Sequence, residues 1–137
     1  MSDSWFFVVV RPDSPPEMVG AAAEDVQAAI SQLVGGPARR AVELRPDVVV
    51  WCSAKAERDQ LVITRTIDGH ILRGTLVVTG RPDASDAASA GSLAKETYRC
   101  VLRLFTEHAS TISPEDVTKS FRAEPTFFAR LMSSFGL

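Results

Sequence analysis

Six consecutive apolar residues, "WFFVVV" (Trp5–Val10), stand near the start of the chain. They do not alternate with polar residues, so they predict a strand covered on both faces and placed inside a sheet. "RPDSPPE" ends the run. Ser14 followed by Glu17, with two prolines between, reads as a capping box with proline in the first turn. Val19, Ala22, Ala23, Val26, Ile30 and Leu33 then share one helical stripe. Gly35–Gly36–Pro37 supplies the left-handed stop. The expectation is one helix running from the Ser14 cap to Gly35.

The next segment is strand-like. "AVEL-RPD-VVVWCSA" predicts two strands around a turn with Pro46 and Asp47 at its centre. "LVITRTI-DG-HILRGTLVVT" carries a stronger hairpin signal, because Asp68–Gly69 supplies the positive φ angles of a type I′ turn. That turn pairs Ile67 with His70, Arg65 with Leu72 and Ile63 with Gly74. Leu61, Ile63, Ile67, Leu72, Leu76 and Val78 are then expected to face the core. Val62, Thr64, Thr66, Ile71, Arg73, Thr75, Val77 and Thr79 fall on the opposite, wetter face.

Residues 80–91, "GRPDASDAASAG", are small and polar and predict a surface loop. Ser92 caps a helix whose stripe is Leu93, Thr97, Cys100, Val101, Leu104, Phe105 and His108. "SPED" is a second capping signature, with Ser113 as cap, Pro114 in the first position and Asp116 reaching back. Pro125 divides that short helix from a last one. Phe128, Leu131, Met132 and Phe135 lie at helical spacing in the tail, beside Phe127, and predict a helix that closes the core. The whole reads as a single α+β domain over residues 1–137. Its order is strand, helix, four mainly antiparallel strands as two hairpins, then two or three helices packed on the sheet.

Composition narrows the function without naming it. The chain has 137 residues, 45% of them hydrophobic and 23% charged, which suits one folded domain and excludes general disorder. Net charge is −2, too near zero for a dedicated nucleic-acid or membrane binder. Residues 36–82 are mildly basic, with eight Lys/Arg against five carboxylates. Arg39, Arg40, Arg45, Lys55, Arg58 and Arg73 are the candidate anion contacts there. Trp51 is the one aromatic among them, and Glu43, Asp47, Glu57 and Asp59 are interspersed. Single-strand binders interleave more stacking aromatics, so an ordinary solvated face is expected. No apolar run approaches the roughly 20 residues a membrane helix needs. The N-terminus lacks a signal peptide's basic region, and two cysteines do not make a disulfide framework. A cytoplasmic protein with reduced thiols is the expectation.

Catalytic chemistry finds little support. His70 follows a tight turn, and His108 ends a helix, where a cation complements the dipole. There is no GxSxG elbow. Cys52 and Cys100 lack metal-ligand spacing and sit in apolar settings, as inert thiols do. The carboxylate pairs Glu24–Asp25, Glu57–Asp59 and Glu115–Asp116 fall on a helix, in a turn and in a cap. "VGGPARR" places its glycines at the end of a helix, whereas a phosphate cradle needs them at the start. No catalytic, cofactor or metal residues are assigned.

Two functional readings follow. The first is a non-catalytic protein-binding module, an inhibitor or immunity-like protein that neutralises a toxin or enzyme. Thr64, Thr66, Arg73 and Thr75 would supply its contacts on the wet face of the hairpin, although threonines also pair across merely solvated sheets. In size, mild acidity and helix-backed sheet the chain resembles small bacterial immunity and inhibitor proteins, a likeness of type that rests on no motif. The second is a small ligand- or nucleotide-binding domain, with or without an enzymatic site assembled by the fold. A homodimer, through an edge strand or the terminal helix, is compatible with both.

Overall fold

The computed structural model describes residues 4–80 and 95–121. The expected loop over residues 80–91, the Ser92 cap and the tail residues Phe127, Phe128, Leu131, Met132 and Phe135 fall outside this range, apart from Gly80. The fold is α+β. In chain order it has β1 (Ser4–Val10), β2 (Glu17–Ala22), a 3-10 turn (Ala23–Asp25), α1 (Val26–Val34), β3 (Ala38–Arg45), β4 (Val48–Ser53), β5 (Ile63–Ile67), β6 (His70–Arg73), β7 (Leu76–Gly80), α2 (Lys95–Glu107) and β8 (Thr111–Ile112). A further helix, α3, covers residues 114–121.

The strands form two sheets, ordered β2-β1-β7-β4-β3 and β6-β5-β8. β1 lies inside the larger sheet, and Phe7, Val8, Val9 and Val10 are fully buried, as the apolar run predicts. The first two residues of the run depart from that expectation: Trp5 is half-buried and Phe6 is 40% exposed, opposite Ala21 and Gly20 of the edge strand β2. The buried side chains of β1 divide between two cores. Phe7 and Val9 pack with Val49, Trp51 and Val77 against Val26, Ile30 and Val34 of α1. Val8 and Val10 pack with Val48, Val50, Leu76 and Val78 against Cys100, Val101, Leu104 and Phe105 of α2. That second core also holds Ile67, Leu72 and Ile112 of the small sheet and Val117 and Phe121 of α3. The large sheet is therefore a middle layer, with α1 on one face and α2, α3 and the small sheet on the other.

The first predicted helix is wrong over its first half. Residues 17–22 instead form β2, which pairs with β1 in an unbroken antiparallel register from Ser4↔Ala22 to Val9↔Glu17. The physical reason is competition. Val19 and Gly20 are poor helix formers, while a six-residue ladder satisfies backbone along the otherwise open side of a buried strand. The prolines of "RPDSPP" serve as the hairpin connection rather than a helix start. The helix proper begins at Val26, and its end is as expected. Gly35 takes φ +85°, its N–H reaching Gln32 O at 3.3 Å, while Gly36 N–H donates to Ser31 O at 2.9 Å. This is a Schellman stop.

The hairpin β3–β4 forms around Pro46–Asp47 as predicted. The second hairpin is more complex. Ile67↔His70 and Arg65↔Leu72 hold, but a bulge between Ile63 and Arg65 pairs Ile63 with Arg73 rather than Gly74. Gly74 then turns at φ +76°, and the chain crosses from the small sheet into the centre of the large one. The expected single long strand is thus two strands, β6 and β7, in different sheets. Because β7 is covered on both faces, Leu76, Val77, Val78 and Thr79 are all buried, which removes Val77 and Thr79 from the expected wet face. Trp51 Nε1–H donates to Thr79 Oγ1 at 2.8 Å, which satisfies both polar groups.

Candidate functional site

The hairpin β5–β6 stands outside the main sheet and is held there by four devices. The Asp68–Gly69 turn has φ +48° and +78°. Parallel pairing with β8 adds Thr66 N–H to Ser110 O at 2.8 Å and Asp68 N–H to Ile112 O at 2.9 Å. At the open end Arg73 donates to Leu61 O at 3.1 Å, Gly74 N–H to Val62 O at 2.8 Å, and Thr64 Oγ1 to Gly74 O. The fourth device is Arg65, whose side chain is only 5% exposed. Its guanidinium donates to Thr64 O at 2.8 Å and to Phe105 O in the last turn of α2 at 3.0 Å, and lies 5.8 Å from the Phe105 ring centre. A cation at a helix C-terminus opposes the dipole and occupies a carbonyl that the helix leaves free. Burial lowers the Arg65 pKa.

The bulge decides which side chains face outward. Arg65, Ile67 and Leu72 point into the core, and the register places Ile63, Thr66, Ile71 and Arg73 together on the outer face. Ile63 is 48% exposed, Ile71 49% and the preceding Val62 68%. Beside them a shallow depression of about 550 Å³ is lined by Glu57, Gln60, Ile71 and Arg73. Gln60, at φ +50°, ends the turn that leads into β5. The result is an aliphatic centre with a polar margin on a sheet face, the composition of an interface core and rim.

The four residues expected to make contacts are separated by this geometry. Thr66 and Arg73 lie half-buried on the outer face, while Thr75 is half-buried beyond the end of β6. Thr64 is 4% exposed, and its hydroxyl bonds Gly74 O inside the bulge, so it does not line the surface. Ile63 and Ile71 are the additional members, and the exposed Val62 immediately precedes β5. Alternation places Ile71 on that side. Ile63 was assigned to the core because a bulge has no marker in this sequence.

Other candidate groups have local partners. Arg39 lies 3.9 Å from Glu57, Arg45 3.8 Å from Asp47 and Arg58 3.5 Å from Asp59, so much of the basic middle segment is neutralised on the spot. Ser113 and Asp116 form the predicted capping box: Ser113 N–H donates to Asp116 Oδ2 at 2.9 Å and Asp116 N–H to Ser113 Oγ at 3.1 Å. The Ser113 N–H and then the Ser113 hydroxyl, aided by the charges of His108 and Lys119, hold the Asp116 carboxyl below the usual range. His108 Nδ1 lies 3.7 Å from that carboxylate, and His70 is exposed at the hairpin turn. Cys52 and Cys100 are buried and are not joined by a disulfide, and burial raises the Cys52 pKa. Among the described residues, no three His, Cys, Asp or Glu side chains gather as a metal would require. Nor is any described helix long and apolar enough to cross a membrane.

A second concavity, of about 450 Å³, lies between β3, the hairpin turn and α3. Val42, Leu44, Ile67, Val117 and Phe121 supply apolar wall, and Glu43, Arg45 and Asp68 supply charge. Arg45 lies over the Phe121 ring, 4.8 Å from its centre, a cation–π contact.

The chain belongs to the family described as a domain of unknown function, DUF3846, whose model matches residues 5–102. The match takes in both hairpins and the large sheet, and ends inside α2. The outer hairpin face therefore lies wholly within the family's domain, whereas the α3 wall of the second concavity lies beyond it. No curated protein and no solved structure matches the chain.

Proposed function

We propose that this chain is a non-catalytic protein-binding module whose docking surface is the outer face of β5–β6. The inhibitor or immunity-like role, with a toxin or enzyme as partner, is the form of that function its small size and plain surface chemistry suit. The supporting observation is the group of exposed aliphatics Val62, Ile63 and Ile71 on one hairpin. A solvated sheet face normally carries threonines and charges, not two exposed isoleucines. Ile63 and Ile71 are each about half exposed and Val62 about two-thirds, so covering each returns roughly 1 kcal/mol, about half the value of a full burial. Arg73 and Thr66 at the margin would give orientation, and the outer edge of β6 offers backbone groups for strand pairing.

The test is capture from the native host on immobilised protein, comparing wild type with Ile63→Asp/Ile71→Asp. Both positions are exposed, so the melting temperature should hardly change. Loss of the captured protein is the expected result. Capture at wild-type yield would overturn the reading.

The concavity beside α3 favours a second reading, a small ligand- or nucleotide-binding domain. Its volume of about 450 Å³ falls within the range of small-molecule sites, and apolar wall with a few charges is their usual lining. A thermal-shift screen with nucleotides and small anions tests it. Stabilisation that Val117→Trp abolishes would support this reading over the first.

A further inference from the structure

The two edges of the large sheet are built differently. β3, at one end, carries Arg39, Arg40, Glu43 and Arg45, and its pairing with β4 is interrupted by register shifts at Arg40/Val42 and Glu43/Arg45. Charges and bulges of this kind blunt an edge against further pairing. β2, at the other end, has no bulge, and its charge is confined to its first residue. Its register with β1 is unbroken over six residues, and Met18–Ala22 contains no charge, no proline and no β-bulge. Its one charged residue, Glu17, is at the strand start and is paired with Arg11 of its own hairpin. Among the described residues no strand pairs with the outer side of β2.

We infer that β2 is a self-association edge, and that two copies of the chain join by antiparallel β2–β2 pairing about a two-fold axis. A second copy is the occupant this edge fits. An antiparallel pair across a two-fold axis is self-complementary, because each residue meets the one whose counterpart meets it. Met18, 45% exposed, is the largest outward side chain, while Gly20 and Ala22 are the other members of its face of the strand. Antiparallel apposition therefore sets the bulky residue of one copy against the small residues of the other. No like charges oppose each other along Met18–Ala22. The joined sheet would have ten strands.

The edge is remote from the hairpin surface. β6 packs near β4, and β1 and β7 separate β4 from β2. Dimerisation thus leaves both hairpin faces free, one at each end of the assembly, and permits bivalent capture of a partner. One strand pair covers less than the roughly 1,000 Å² typical of a stable interface, so association in the micromolar range is expected.

The test is sedimentation of the wild-type chain across about a hundredfold range of concentration, up to about 200 µM. The expected result is a monomer–dimer equilibrium. Met18→Lys/Ala22→Lys, which places lysines on the edge as blunted edges do, should weaken it by about tenfold or more. Ile63→Asp/Ile71→Asp should leave it unchanged. In the wild type, hydrogen exchange at about half the β2 amides should slow as the dimer fills, because alternate N–H groups point outward. That measurement needs no variant to fold. A wild-type monomer at all concentrations, an undiminished dimer in the lysine variant, or β2 amides insensitive to concentration would overturn the inference. Partner capture by the lysine variant reports on the hairpin separately.

Discussion

Gly69 and Gly74 adopt nearly the same backbone, φ +78° and +76°, in different surroundings, and alanine at each position separates two costs. At Gly69 an added Cβ meets nothing within 4 Å, so Gly69→Ala carries only the strain of positive φ. That strain is about 1–2 kcal/mol, reduced by the lower entropy of the unfolded chain to roughly 1 kcal/mol. At Gly74 the same Cβ would stand 2.8 Å from Leu61 Cδ1 and 3.6 Å from Leu61 Cβ. Leu61 Cδ1 is the end of a flexible, half-buried side chain, so it shifts aside at the roughly 0.5–1.5 kcal/mol of an off-rotamer side chain. Gly74→Ala should therefore cost about 1.5–2.5 kcal/mol in total. Urea unfolding followed by fluorescence of Trp5 and Trp51 measures both variants on one scale. In a Leu61→Ala background the excess cost of Gly74→Ala should vanish, because the clashing Cδ1 is gone while the strain remains. Equal costs for the two glycines, or an excess that survives Leu61→Ala, would refute the close packing of Leu61 on Gly74.

Two further outcomes follow from the geometry. Ser113→Ala removes one side of the α3 cap and should cost about 1 kcal/mol by urea unfolding. Because the folded-state pKa of Asp116 is depressed, its contribution is complete above the ordinary carboxylate value of about 4 and is lost as pH falls through the lowered value, and Ser113→Ala should shrink that acid-side loss. Thr79→Val keeps the shape of a buried residue but leaves Trp51 Nε1–H without its acceptor, so a loss of about 1–3 kcal/mol is expected, with calorimetry as the check.

What the sequence revealed was mostly local. The buried run Phe7–Val10, the Gly35 stop, the two turns and the Ser113 cap each depend on a few adjacent residues, and each stands where the pattern placed it. The stripe of α2 faces the core for the same reason: Cys100, Val101, Leu104 and Phe105 recur at helical spacing. The errors arose where distant segments compete for a residue. β2 replaced half a helix because β1 needed a neighbour on its open side. The bulge at Thr64 and the turn at Gly74 depend on the large sheet recruiting β7, which no local pattern announces. The same bulge hid the site, since it moved Ile63 outward and Thr64 inward. Arg65 reads as an ordinary strand residue, because its partner, the Phe105 carbonyl, is 40 positions away.

The most direct test of the hairpin surface uses the chain's five isoleucines as reporters. Ile63 and Ile71 are exposed on the outer face, Ile67 borders the concavity beside α3, and Ile30 lies buried on the inner face of α1. Their δ1 methyl resonances would be followed during titration with the captured partner. A docked hairpin predicts shifts at Ile63 and Ile71 with Ile30 unmoved. Movement of Ile67, with Ile63 and Ile71 unchanged, would contradict it.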